Sequence, residues 1–141
     1  SHGQLIVAAA GNAGPDGPPS YPAAYPGVLA VGAIDSHARP WPSSARGESV
    51  ALAAAGVGVP VPVPGETYPA QLSGTSMAAA HVSGVAALLL ALKPGASGTE
   101  VGLALRASAR AAPGGAPALV DGCAAAARLG VAPASCSEAA K

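Results

Sequence analysis

Apolar residues in this chain come in short unbroken runs, separated by stretches rich in Gly and Pro. An unbroken apolar run is typical of a strand buried on both faces, as in a parallel sheet. The pattern predicts such strands over residues 4–10, 28–34 and 50–54. Residues 57–72 predict a hairpin that turns at residues 64–67, and its prolines restrict it to a sheet edge or a surface ribbon.

The longest apolar segment, residues 76–92, is apolar nearly all round, which predicts a helix buried on every side. Ser97 and Glu100 have the spacing of a capping box and predict the start of a second helix. Its inner face is predicted to carry Val101, Ala104, Leu105 and Ser108. Asp121 is a candidate cap for a short third helix that ends near Gly130.

These elements predict an α/β fold: a partial parallel sheet, a buried central helix, a surface hairpin and C-terminal helices. The length of 141 residues fits one domain, which we place at residues 1–130, followed by a tail at 131–141. The net charge is zero, so no basic patch points to nucleic acid. The longest uninterrupted apolar run, residues 85–92, is about half of the roughly 20 residues that span a membrane. We therefore expect neither a nucleic acid nor a membrane as a partner.

The two cysteines, Cys123 and Cys136, lie close together near the C-terminus. In an oxidising compartment they are predicted to pair, closing a loop worth about 3 kcal/mol in the chain-entropy model. No cluster of histidines accompanies them, so we expect no metal and no cofactor.

Two short motifs carry candidate chemistry. Gly74, Thr75 and Ser76 precede the long apolar helix, where we expect Gly74 to adopt a positive φ and the hydroxyl residues to begin the helix. A serine at the positive end of a helix lies where developing negative charge is stabilised. Asn12 follows Gly11 at the end of the first strand, at the sheet edge where α/β proteins bind ligands. Taken singly, each motif is usually a plain helix cap or a turn.

Together, Ala-Ala-Gly-Asn at residues 9–12 and Gly-Thr-Ser-Met-Ala at residues 74–78 resemble the subtilisin-like serine proteases, or subtilases. The similarity continues at residues 21–26, 28–35 and 120–121. It covers residues 4–130, which correspond to the C-terminal half of the family's catalytic domain.

The resemblance implies a serine endopeptidase in which Ser76 is the nucleophile and Asn12 helps to hold the oxyanion. It further implies a peptide or protein substrate, secretion or a periplasmic location, and a cis bond before Pro22. The residues expected to bind substrate are Ala9, Ala10, Gly11, Ala13, Gly74 and Thr75. The first four carry no charge, so we expect a preference for apolar side chains.

The residues matched by the resemblance do not include a general base. In subtilases the triad aspartate and histidine precede the asparagine, in segments that this chain does not contain. His81 is five residues after Ser76, which on a helix is about 140° round and about 7.5 Å along, so we expect a packed or hydrogen-bonded helix residue. Nothing directs His37 at Ser76. The chain departs from the family pattern at Ala80, where a proline is usual, and at Ala51, where subtilisin has an aspartate at a weak cation site. Asp35 and Asp121 match family positions that are not catalytic, and Asp16 lies in a loop rich in Pro and Gly.

Two functions remain open from the sequence. The chain is half of a protease, whose partner is an N-terminal half carrying the aspartate and histidine, or it is a non-catalytic module that binds peptides or protein partners. In the first case the isolated chain is expected to be inactive. A half-domain also leaves a sheet edge and a helix face uncovered, which predicts self-association.

Overall fold

The computed structural model describes residues 3–138, with only the backbone of Ser137 and Glu138. Its elements are β1 (Val7–Ala9), β2 (Leu29–Ile34), β3 (Leu52–Ala55), β4 (Val59–Val61), β5 (Ala70–Leu72), α1 (Thr75–Leu92), α2 (Gly98–Ser108), α3 (Gly122–Arg128) and α4 (Ala134–Glu138). The predicted α/β fold is confirmed. The last three residues of the predicted tail, like residues 1 and 2, lie outside the described part.

The three predicted buried strands form one parallel sheet in the order β1-β2-β3. All six residues of β2 are buried, as expected for the middle strand. β1 is shorter than predicted because pairing starts only at Val7, opposite Leu29. The predicted hairpin is also confirmed, with β4 antiparallel to β5 and Val59 opposite Leu72.

Helix α1 packs one face against the sheet, and the prediction that it is buried on every side is wrong. Its buried residues recur every three to four positions: Thr75, Ala78, Val82, Ala86 and Leu89. Among the described residues α1 packs mainly against the sheet, α2 and α3, and leucines such as Leu88 and Leu90 remain exposed. By length and composition α1 is apolar enough to span a membrane, but its packing on the sheet is that of a core helix.

The helices α2 and α3 begin at the capping residues that the sequence predicted. In α2 the Ser97 Oγ accepts a hydrogen bond from the Glu100 N–H at 3.2 Å, and Glu100 Oε2 accepts one from the Ser97 N–H at 2.8 Å. These bonds to Ser97 hold the pKa of Glu100 below its ordinary value. Asp121 caps α3 by accepting from the Ala124 N–H at 2.9 Å. Cys123 and Cys136 form the predicted disulfide, which ties α4 to α3.

One side of the molecule is left open, as the half-domain predicted. In the part of the chain that the structure describes, no strand pairs with the outer edge of β1. Between that edge and the exposed side of α1 lies a groove of about 690 Å³, which we call the β1–α1 groove. Its lining is largely apolar: Gly3, Gln4, Leu5, Ile6, Val7, Ser83, Ala86, Ala87, Leu90 and Gly98.

Candidate active site

The chain turns sharply after β1, and this turn directs Asn12 away from the sheet. Ala10 still bonds to β2 through its N–H and the Val31 carbonyl, at 2.9 Å. The next residue, Gly11, has φ of +113°, a conformation that residues with a side chain rarely adopt. Its carbonyl accepts a hydrogen bond from the Ala45 N–H at 2.9 Å, which fixes the turn. Asn12 is therefore exposed at the carboxyl edge of the sheet.

The loop before α1 is held against the end of β3. The Gly74 N–H donates to the Gly56 carbonyl at 2.7 Å. A Cβ on Gly56 would lie 2.7 Å from the Gly74 oxygen, so this approach requires glycine. Gly74 itself caps α1 with φ of 166°, which is extended backbone, so the predicted positive φ is wrong. A Cβ there would lie 3.5 Å from Asn12 Nδ2, which is an ordinary van der Waals contact.

Thr75 connects the two motifs across 63 residues of sequence. Its N–H donates to Asn12 Oδ1 at 3.0 Å, and its Oγ1 hydroxyl donates to the same oxygen at 2.7 Å. The Thr75 Oγ1 in turn accepts from the Gly11 N–H at 3.2 Å. Because a backbone N–H can only donate, these bonds require the oxygen of the amide to face Thr75. The Nδ2 group is thereby turned away from Thr75, with no hydrogen-bond partner among the described residues.

A second free donor lies at the start of α1. Of its first four N–H groups, that of Thr75 is bonded to Asn12, while those of Met77 and Ala78 are bonded to the Gly74 carbonyl. The Ser76 N–H has no partner within residues 3–138, as is common for the first turn of a helix. The Ser76 side chain is exposed beside it. An exposed hydroxyl thus lies near two unpaired donors, which is what stabilisation of an oxyanion requires.

In the part of the chain that the structure describes, residues 3–138, no histidine is hydrogen-bonded to Ser76. His81 is exposed on α1 and its side chain makes no hydrogen bond, so the expected packed or bonded role is wrong. His37 lies on an exposed loop, where its N–H donates to Asp35 Oδ1 at 2.8 Å. The hydrogen bonds that Asp35 accepts, first the one from the Arg39 N–H, keep its pKa below the ordinary value. The Asp35 carboxylate is therefore occupied by hydrogen bonds within its own loop.

The residues predicted to bind substrate differ in exposure. Ala13 is exposed, Ala9 and Gly11 are half-buried, and Ala10 and Gly74 are buried. Thr75 is 0% exposed, so its hydroxyl acts on the site through Asn12, a role that its position in the sequence does not reveal. In the described ranges no group of three His, Cys, Asp or Glu side chains is placed to hold a metal.

The family model described as the subtilase family matches residues 1–125. The chain belongs to the subtilase family. Two curated subtilases illustrate the similarity: subtilisin DY of Bacillus licheniformis is 43% identical over 102 residues, and M-protease of Shouchella clausii is 44% identical over 101. These matches cover 70% and 72% of this subtilase chain but only 37% and 26% of the relatives.

Solved protease structures agree with this fold. The prenylagaramide maturation protease PagA superposes with a TM-score of 0.81 at 33% identity, covering 90% of this chain and 51% of that one. The self-cleaved protease domain of PatA gives a TM-score of 0.77 at 36% identity, covering 92% of this chain and 51% of that one. The chain therefore spans about half the length of these two solved structures. The cis bond between Tyr21 and Pro22, implied by the family resemblance, is present.

We expect Thr75→Val, made in an active form of the protein, to lower kcat about tenfold with little change in KM. The lost hydroxyl holds Asn12 Oδ1, and one hydrogen bond of this kind is worth about 1 kcal/mol. Thr75→Ser should retain most of the rate. In an Asn12→Leu background Thr75→Val should have little further effect; two independent, additive losses would contradict the positioning role.

Proposed function

We propose that this chain is the nucleophile-bearing half of a serine endopeptidase, which cleaves peptide bonds through an acyl-enzyme on Ser76. The observation that carries the proposal is the pair of unpaired donors, Asn12 Nδ2 and the Ser76 N–H, next to an exposed Ser76 Oγ. Acyl transfer needs these donors where the carbonyl oxygen becomes negative. Membership of the subtilase family supports the same reaction.

In this proposal the hydroxyl of Ser76 attacks the scissile carbonyl carbon, and the proton passes to a histidine oriented by an aspartate. The tetrahedral intermediate places its oxyanion between Asn12 Nδ2 and the Ser76 N–H. In the collapse the histidine gives its proton to the leaving nitrogen, so that the C–N bond breaks, the amine fragment departs and an ester remains on Ser76, which water then hydrolyses. The described residues supply the nucleophile and the oxyanion donors, and a partner half supplies the aspartate and histidine.

The β1–α1 groove is the surface on which we place that partner half. It combines an unpaired strand edge with an apolar helix side, and Ile6 and Leu90 there are 54% and 38% exposed. Two structural relatives extend over about twice the length of this chain, which supports a second half of similar size. The disulfide between Cys123 and Cys136 supports secretion or a periplasmic location, where such bonds persist.

A fluorophosphonate probe tests the assignment of the nucleophile. In the protein completed with its N-terminal half, we expect labelling of one serine and hydrolysis of peptides. Ser76→Ala should abolish both, whereas Ser36→Ala, an exposed serine on the His37 loop, should leave both unchanged. Labelling that persists in Ser76→Ala would contradict the assignment. Peptide binding without hydrolysis by the completed protein would favour the non-catalytic module instead.

A further inference from the structure

A small cavity lies directly behind the turn that presents Asn12. It has a volume of about 210 Å³, and its lining includes Ala10, Ser20, Ala45 and Arg46. Ala10 ends the strand just before Gly11, and the Ala45 N–H is bonded to the Gly11 carbonyl. A Cβ built on Gly11 would lie 3.2 Å from the Cβ of Ser20. The cavity thus shares its wall with the peptide that positions the oxyanion donor.

Arg46 is the charged residue of this cavity, and it is unpaired. Its Nε is buried without a hydrogen-bond partner, and no ion pair joins Arg46 to another residue in the described part of the chain. No acidic residue lines the cavity. By contrast Arg39 and Arg110 are paired with Asp35 and Asp121, at 2.8 Å and 2.9 Å. A buried guanidinium N–H without an acceptor is costly, so a ligand that supplies one gains affinity.

A carboxylate is the group that matches this site. The planar guanidinium presents its N–H donors in a fork that fits two carboxylate oxygens, and such charge-assisted bonds are stronger than neutral ones. The cavity has room for a carboxylate with some water, since one water occupies about 30 Å³ in the liquid. Ala10, which lines the cavity, lies two residues before Asn12, the donor proposed to hold the carbonyl oxygen of the scissile bond.

We infer that Arg46 selects substrates with an acidic side chain on the acyl side of the scissile bond, an inference that rests on the proposed protease function. It differs from the apolar preference expected from the four uncharged residues 9, 10, 11 and 13. Arg46 lies outside both sequence motifs. It lines the cavity because its loop is held against Gly11 by the hydrogen bond from the Ala45 N–H.

The test compares peptides that differ only at that residue, carrying Glu, its neutral isostere Gln, or Leu. In the completed protein kcat/KM should favour Glu over Gln by about 10- to 100-fold, the range for a hydrogen bond to a charged group. Arg46→Met, which removes the charge at similar length, should erase this ratio while Leu peptides are still cleaved. Arg128→Met, at the end of α3, is the matched control and should keep the ratio. A preference for Leu in the wild type, or an Arg46→Met ratio equal to wild type, would overturn the inference.

A binding experiment on the 141-residue chain separates this inference from the proposed function. N-acetylglutamate amide should raise the melting temperature of the wild type but not of Arg46→Met, and the glutamine analogue should raise neither. Stabilisation by chloride or acetate equal to that by the glutamate analogue would indicate a general anion site and would overturn the substrate assignment. If the completed protein cleaves no peptide although the glutamate analogue binds, the proposed function fails, and with it the substrate role of Arg46.

Discussion

Adding an N-terminal half that carries an aspartate and a histidine is expected to accelerate acylation of Ser76 by about 10⁶-fold, a magnitude known for loss of the triad histidine in subtilisin itself. In the described residues no base is hydrogen-bonded to the Ser76 hydroxyl, so we expect the serine of the chain alone to have ordinary reactivity. The proposed oxyanion donors are present without the partner half, but they would stabilise charge only after attack has begun.

The measurement is the second-order rate constant for a fluorophosphonate probe, with and without the partner half. The control is the same partner half with its histidine changed to alanine, which should bind without restoring the rate. Rapid labelling of the isolated chain would contradict the prediction. In that event His37→Ala would show whether His37, the other candidate base, is responsible.

Leu90→Glu is expected to weaken docking of the N-terminal half by about 10²- to 10³-fold, because an unpaired charge buried in an interface costs about 3–5 kcal/mol. Leu90 is 38% exposed and lines the β1–α1 groove, where the partner would cover it. The same variant should lower self-association of the isolated chain, for which the uncovered groove is the expected surface.

The matched control is Leu103→Glu, the same substitution at a leucine on α2 that is 62% exposed and lies outside the groove. Sedimentation velocity measures both self-association and the complex with the partner half. Circular dichroism shows whether each variant retains its helices. Equal effects of the two substitutions on docking would remove the groove from the interface.

Local signals in the sequence were sufficient for most of the fold. Continuous apolar runs identified the strands of the parallel sheet, because buried strands need apolar side chains on both faces. The capping box at Ser97 and Glu100 located the start of α2, since it depends on residues three apart. The motifs around Asn12 and Ser76 identified the candidate site for the same reason: each is a short segment whose residue types meet a local requirement.

The tertiary structure decided what depends on distant residues. The amide of Asn12 is oriented by Thr75, and no local pattern links the two, because the bonds form only when β1 and α1 pack side by side. The exposed side of α1 carries leucines such as Leu88 and Leu90 that are as apolar as the buried Leu89, so composition alone cannot show which side is covered. The Arg46 cavity likewise arises only where its loop packs on Gly11. The sequence was enough to identify the residue types. Packing then decided which of their hydrogen-bonding groups are paired and which are left free.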